Sequence, residues 1–204
     1  MPHKLKLHTR PEFEAALEQI GESTPIAMAF LDLDHFMEIN NTFGHPAGDS
    51  VLRSLERTLC GSLPAHAIVG RIGGDEYAVA LPNSSSESAL ILLEEIRTHF
   101  TSRPPSLEVQ QHVQVCIGIA SRPPHAESLP ELMRAASEAL HRAKREGRNR
   151  VAIYVEEKMT LKSNYYSKAQ LERLAKLSNT TGRTEASLLR EGLEELLAKY
   201  KDEL

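Results

Sequence analysis

The chain has 204 residues, 25% of them charged, with a formal net charge of −4. That balance excludes a grossly basic nucleic-acid coat protein while leaving room for a local basic surface, and the length admits one large domain or a medium one with a small companion. Cys60 and Cys116 lack CxxC or Cys/His ligand spacing, which argues against a disulfide framework or a zinc site and for a reducing cytoplasm. No run approaches the roughly 20 apolar residues of a spanning helix, and the opening MPHKLKLHTR lacks the apolar core of a signal peptide. The expectation is a soluble, cytoplasmic protein with no membrane partner.

In chain order, Ile26 to Leu33 is a continuous apolar run that reads as a buried strand, and it feeds a helical pattern through Val51, Leu52, Leu55 and Leu59. Ala67 to Val69 and Tyr77 to Leu81 read as two short strands. Between them, Arg71-Ile72-Gly73-Gly74-Asp75-Glu76 has the length and glycine content of a hairpin turn, with two adjacent acids at its tip. A helix follows from about Glu87 to Phe100, then a Pro-containing loop and an alternating strand through Val113, Val115, Ile117 and Ile119. Ser128 with Glu131 is a capping-box signature for a helix that ends near Gly147, and Val151 to Val155 reads as a last strand. This order predicts an α/β fold, a mixed sheet of about five strands covered by helices, within residues 1–155.

Past Val155 the apolar pattern breaks at Glu156-Glu157-Lys158 and a second domain, 156–204, is expected. Ser167 with Gln170 caps a helix carrying Leu171, Leu174 and Leu177, and Asn179-Thr180-Thr181-Gly182 reads as a turn. Thr184 opens a second helix with Leu188, Leu189, Leu193, Leu196 and Leu197, a broader apolar face than about fifty residues can bury alone.

The acids carry the chemistry. Asp32 and Asp34 stand where a hydrophobic strand ends, and Asp75 and Glu76 stand on the hairpin tip, so a sheet that pairs these strands would bring them together. Clustered carboxylates repel unless a hard cation neutralises them, and Mg²⁺ prefers few carboxylates plus phosphate oxygens of a substrate. Phosphoryl or nucleotidyl transfer is the chemistry implied. For Gly-Gly-Asp-Glu in isolation, a solvated turn would be the better reading.

Longer motifs reverse that preference. Phe30-Leu31-Asp32-Leu33-Asp34-His35-Phe36, continuing through Ile39-Asn40-Asn41-Thr42-Phe43-Gly44-His45 to Gly48-Asp49, together with Arg71-Ile72-Gly73-Gly74-Asp75-Glu76-Tyr77 and with Ala143-Lys144 leading to Gly147-Arg148-Asn149, resembles the GGDEF family of diguanylate cyclases over residues 10 to 155. The resemblance implies a nucleotidyl-cyclase-like fold in which Asp32, the Leu33 carbonyl, Asp75 and Glu76 hold Mg²⁺ or Mn²⁺. It implies that Asn40 and Asp49 read guanine, with Phe36 as a wall of the base pocket. Asp49 suits that role because a carboxylate accepts from the guanine N1–H and 2-amino groups, for which adenine has no equivalent. Lys144 and Arg148, taken as one helical turn apart, match phosphate ligands, Gly73 and Gly74 would let phosphates approach the backbone, and His45 ranks lower as a phosphate contact. Asp75 is the expected general base, assisted by Glu76. GTP is the implied substrate, cyclic di-GMP the product, and two domains must face each other.

The chain also departs from the family's pattern. Met37 replaces a usual lysine, Thr9-Arg10-Pro11-Glu12-Phe13 is a remnant of the usual opening, and no sensor is expected ahead of it. Pro64-Ala65-His66-Ala67 stands where many members carry a product-inhibition site, and Tyr77 replaces the usual Phe.

After about residue 158, the run Met159 to Tyr166 with two helices joined at Thr181-Gly182-Arg183-Thr184 resembles the ribbon-helix-helix family of DNA-binding dimers. Alternation puts Leu161, Ser163 and Tyr165 on one side and Lys162, Asn164 and Tyr166 on the other, and the resemblance aims the first set at DNA. The Thr184 end of the second helix could hold a phosphate. Nine Lys/Arg against nine Asp/Glu after Val155 fall short of the basic excess of a strong DNA binder, so homodimerisation alone remains a second reading. Three functions stay open: an active cyclase dimerised by its tail, a nucleotide- or cyclic di-GMP-responsive DNA-binding regulator with a weak or inactive cyclase domain, and an inactive dimeric scaffold.

Overall fold

The computed structural model describes residues 5–105, 109, 113–155, 165–181 and 183–201. The chain divides into two compact units, Met1–Glu157 and Lys158–Leu204.

The first unit runs β1 (Leu7–Thr9), α1 (Arg10–Glu18), β2 (Ile26–Leu33), α2 (Phe36–Phe43), α3 (His45–Ser62), β3 (Ile68–Arg71), β4 (Glu76–Pro82), α4 (Ser86–Ser102), β5 (Val115–Arg122), α5 (Leu129–Arg145) and β6 (Val151–Ile153). The strands form one sheet in the order β1-β3-β4-β2-β5-β6. The β1–β3 and β5–β6 pairs are parallel, and the pairs between β3, β4, β2 and β5 are antiparallel. The sheet therefore has six strands where the sequence suggested about five. The extra one, β1, has only three residues and exists because Leu7, His8 and Thr9 find Val69, Gly70 and Arg71 across the sheet. In the opening segment the Thr9 N–H and hydroxyl both donate to Glu12 and start α1.

β2 shows why its sequence is apolar on both faces from Ile26 to Leu31. Ala27, Ala29, Leu31 and Leu33 face a core shared with α3 and α4, while Ile26, Met28 and Phe30 face a second core shared with α1 and α5. Strand alternation then puts Asp32 on the α5 side. β5, expected to alternate, is buried at every residue for the same reason, and it begins at Val115 rather than Val113.

Small residues let α5 lie close to the sheet. Ala135, Ala136, Ala139 and Ala143 are buried on the helix, and a methyl group added to Gly118 of β5 would stand 2.0 Å from the Leu140 backbone nitrogen and 2.5 Å from the Ala136 carbonyl oxygen. Ser128 and Glu131 cap this helix reciprocally, as their spacing predicts. It stops at Gly147, whose φ of 114° only glycine adopts readily, with the Arg148 N–H returning to the Ala143 carbonyl.

In the second unit, α6 (Lys168–Thr181) and α7 (Glu185–Lys199) follow one another. The Asn179–Thr181 stretch, read as a turn, is the last turn of α6 instead, with the Thr180 and Thr181 hydroxyls bonding back to the Lys176 and Leu177 carbonyls. Ser167 and Gln170 form the expected start of α6. No residue of α6 is buried, and Leu171, Leu177, Leu189, Leu193, Leu196 and Leu197 are exposed within the unit. Among the described residues no helix is long and apolar enough to cross a membrane.

The contact at Gly118 generates a direct expectation. Gly118→Ala should cost about 1–3 kcal/mol of stability through overpacking, because the new methyl meets helix backbone and not a yielding side chain. Urea denaturation of the two proteins checks this, and equal midpoints would show that α5 can shift without penalty.

Candidate active site

The antiparallel pairing of β2 with β4 sets Asp32 opposite Glu76, with Asp75 one residue earlier at the hairpin tip. The Leu33 N–H donates to the Asp75 carbonyl at 3.3 Å, tying the end of β2 to that tip. Asp32 is buried, and Lys144, one residue before the end of α5, reaches it with 2.8 Å between Nζ and Oδ2. Burial holds the Asp32 carboxyl above the usual carboxylate range, and the neighbouring Asp75 and Glu76 charges push the same way against the Lys144 ammonium. Three acids thus act on one another around a single lysine, which is an arrangement short of positive charge.

Among the described residues no group of three or more His, Cys, Asp or Glu gathers into a metal cage. The donors nevertheless suit a hard cation that takes one or two carboxylates and leaves positions open to phosphate oxygens. Asp32, Asp75 and Glu76 could serve. Leu33 could offer only its carbonyl, because its side chain is sealed in the core.

The hairpin tip is held from outside. Arg71 donates through Nε and Nη2 to the Gly74 carbonyl and through Nε to the Gly73 carbonyl, while its Nη1 meets Glu56 at 3.4 Å. Glu56 also accepts from the Tyr77 hydroxyl at 3.0 Å. Tyr77 is therefore more than a stand-in for Phe, since its hydroxyl joins the network that fixes the turn. Neither Gly73 nor Gly74 has positive φ, so the turn does not demand glycine for its backbone angles. A methyl group at Gly73 would stand 2.7 Å from Glu76 Oε2, whereas one at Gly74 would meet nothing within 4 Å. Gly73 makes room for Glu76, and Gly74 leaves an open face.

Asn40, Phe36 and Asp49 come together through a helix pair. Gly44, with φ of 84°, ends α2 and starts α3. α3 then folds back so closely that a methyl group on Gly48 would stand 2.0 Å from Asn40 Oδ1 and 3.2 Å from Phe36 Cζ. Asp49 follows Gly48 and is exposed, as is His45 in the first turn of α3. Met37 is 74% exposed and offers no charge.

Two sequence-based expectations need correction. Arg148 is not one helical turn from Lys144 along α5, because the helix ends at Arg145 and Arg148 lies beyond Gly147 with φ of 61°. Asp34 turns away into the protein. Its Oδ2 accepts from the Asn149 N–H at 3.0 Å and the Cys116 thiol at 3.4 Å, and its Oδ1 lies 3.9 Å from Arg148 Nε. Burial and this bond to Asp34 push the Cys116 thiol up to about 12, leaving it inert as a nucleophile. Neither Cys60 nor Cys116 forms a disulfide. The Asp34 and Glu56 contacts went unseen in the sequence, where the hint was a polar Tyr77 hydroxyl within the buried part of β4.

In the second unit, Leu161, Lys162, Ser163 and Asn164 lie outside the described residues. Tyr165 is fully exposed, and Tyr166 lines an apolar groove of about 460 Å³ with Leu171, Leu174, Leu177 and Leu189. Thr184 precedes α7 and accepts the Leu188 N–H through its carbonyl.

Residues 6–150 match the family model of the diguanylate cyclase GGDEF domain, and residues 163–201 match that of the ribbon-helix-helix domain. A diguanylate cyclase of Vibrio cholerae is 36% identical over 130 residues, 64% of this chain and 40% of that protein. The chain spans less than half the length of the curated relatives it matches best. Among solved structures, the active GGEEF domain of a diguanylate cyclase from Vibrio cholerae superposes with a TM-score of 0.66 at 31% identity, covering 74% of this chain and 100% of that one. The GGDEF domain of DgcB from Caulobacter crescentus, solved in complex with c-di-GMP, superposes at 0.64 with 33% identity, covering 72% and 91%. The chain belongs to the diguanylate cyclase GGDEF family, and a ribbon-helix-helix domain follows its cyclase fold.

Proposed function

We propose that this protein condenses two GTP molecules into cyclic di-GMP with release of pyrophosphate. The observation that carries the reading is the in-register placement of Asp32 against Glu76, beside Asp75, with Lys144 paired to Asp32. Such a cluster is poised for a cation and a polyanionic substrate together.

In this mechanism Asp49 accepts the guanine N1–H and 2-amino protons, Asn40 completes the edge and Phe36 walls the ring. Lys144 and Arg148 hold the triphosphate, Gly74 leaves its backbone open to it, and His45 lies within the same mouth. Asp32, the Leu33 carbonyl, Asp75 and Glu76 would hold Mg²⁺ or Mn²⁺, which when bound stabilises charge on the attacking and leaving oxygens of phosphoryl transfer. Asp75, assisted by Glu76, accepts the proton of a ribose 3′-hydroxyl as its oxygen attacks the α-phosphorus of the second GTP and pyrophosphate departs. One domain presents one GTP, so two must face each other.

The tail supplies a means. We read residues 156–204 as a ribbon-helix-helix homodimer that keeps two cyclase domains at high effective concentration, supported by the exposed leucines of α6 and α7. A second reading, a nucleotide- or cyclic di-GMP-responsive regulator that binds double-stranded DNA through Leu161, Ser163, Tyr165 and Thr184, draws support from the ribbon-helix-helix match. An electrophoretic shift with genomic fragments, with and without nucleotide, tests it.

Three outcomes follow. Incubation with GTP and Mg²⁺ should yield cyclic di-GMP by chromatography, and Asp75→Ala should reduce product at least about 100-fold, the lower range for loss of a general base; undiminished product would remove Asp75 from the chemistry. Asp32→Asn should raise the thermal midpoint of the ligand-free protein at neutral pH while abolishing activity. The sign follows from the raised carboxyl: below the ordinary carboxylate range both states are protonated and nothing differs, but as pH rises the unfolded chain ionises first and the fold loses stability, a deficit complete once the folded group ionises. A lower midpoint at pH 7 would contradict this. Finally, removing the residues after Val155 should lower activity at dilute protein and convert a dimer into a monomer, whereas an unchanged oligomeric state and activity would dismiss the tethering role.

A further inference from the structure

The backbone between α5 and β6 stands in an unfavourable conformation that the proposed chemistry does not by itself explain. Gly147, Arg148 and Asn149 have φ of 114°, 61° and 45° in succession. Single asparagines visit this region at small cost, but two adjacent non-glycine residues there need contacts that over-determine them.

Those contacts come from residues outside the loop. The Asp34 carboxylate, 1% exposed, receives the Asn149 N–H at 3.0 Å and the Cys116 thiol at 3.4 Å on Oδ2. From the other side, Arg97 of α4 donates through Nη1 to Asn149 Oδ1 at 2.7 Å, and Arg97 is itself held by Glu94, with Nε 2.9 Å from Oε2. The Arg148 N–H closes on the Ala143 carbonyl at 3.1 Å. The loop is therefore gripped at both faces of Asn149 and at the end of α5.

The remaining Asp34 oxygen defines the consequence. Oδ1 is buried with no hydrogen-bond partner, and its nearest cation is Arg148, with Nε at 3.9 Å. That separation exceeds a hydrogen bond, so the contact is an ionic attraction that orients the guanidinium without saturating its donors. In a desolvated setting a carboxylate with one unsatisfied oxygen strongly favours a neighbouring positive charge. We infer that Asp34, with Arg97 acting through Asn149, is a positioning residue: it fixes the strained loop and aims Arg148 at the triphosphate of the bound nucleotide. Asp32 and Asp34, two residues apart, thereby serve one site in different ways, the first facing Lys144 and the substrate, the second facing inward to hold the cation that Lys144 cannot replace.

This inference rests on the reading of Arg148 as a phosphate ligand, and the experiment separates the two. GTP and guanosine affinities are measured by calorimetry on the full chain for the wild type, Arg148→Ala, Asp34→Asn, Arg97→Met and the corresponding double variants. Arg148→Ala should weaken GTP about 10-fold, the scale of one charge-assisted hydrogen bond, and leave guanosine unchanged. Asp34→Asn keeps the shape and one acceptor for Asn149 but removes the charge, and should weaken GTP by a similar factor with no further loss in combination with Arg148→Ala. Arg97→Met, which keeps the length of the half-buried stem and removes the guanidinium, should weaken GTP about 3-fold and likewise be masked by Arg148→Ala; it carries the test if Asp34→Asn does not fold. Fully additive effects, or equal losses for GTP and guanosine, would reduce Asp34 and Arg97 to general structural support and overturn the proposal. Unchanged GTP affinity in Arg148→Ala alone would instead remove the phosphate-ligand reading, and the proposal with it.

Discussion

A strand buried on both faces cannot end in water without delivering its last side chains to whatever covers it, and at β2 that constraint organises the candidate site. Alternation assigns Leu31 and Leu33 to the α3–α4 core and Asp32 to the side covered by α5. The helix approaches so closely at Gly118 that its C-terminal turn overlies the end of the strand, and Lys144 meets Asp32 there. Pairing with β4 then supplies Glu76 and Asp75. The acids come together because the sheet has no other way to satisfy its hydrophobic residues, and their mutual repulsion is carried by the stability of that core. A raised Asp32 carboxyl is the local signature of this cost.

The second layer of the site is built from groups that never face the proposed substrate. Arg71 clamps the Gly73 and Gly74 carbonyls, Glu56 holds Arg71, and Tyr77 holds Glu56. Asp34 and Arg97 do the same for the loop after α5. In both places a buried or half-buried ionic group fixes backbone that would otherwise be free to wander, and site groups carried on such fixed backbone spend less energy on reorganisation.

Local signals were legible in the sequence where local physics decides. The apolar run of β2, the hairpin around Gly73-Gly74, and the capping pairs Ser128–Glu131 and Ser167–Gln170 all stand as their spacing suggests. The three-residue β1 was hidden because its existence depends on pairing with β3, some sixty residues away. The break between α2 and α3 hung on Gly44, whose left-handed angle no periodicity reveals. Arg148 looked like a helical neighbour of Lys144 because a 3.6-residue period extends through Gly147 on paper, whereas in the fold that glycine ends the helix. Asp34 looked equivalent to Asp32 because both are acids at a strand end, yet its partners Asn149 and Cys116 are 115 and 82 residues away. Two of these misses concern long-range partners and two the backbone angle of a single glycine, and each belongs to the site's geometry more than to its chemistry.

The two units pose complementary problems that a single chain leaves open. The first buries its core within itself and needs no cover, but on the proposed mechanism it presents half of a reaction that takes two nucleotides. The second leaves leucines of both α6 and α7 exposed, and over the whole segment after Val155 lysines and arginines are matched in number by acids. A long-range field too weak to recruit DNA by charge alone is no obstacle to apolar self-association, which depends on buried area and not on net charge. On the proposed mechanism, a half-complete reaction centre and an uncovered apolar surface would both be resolved by one event, the meeting of two copies, and that economy favours the proposed dimeric cyclase over a tail that acts independently of the catalytic fold.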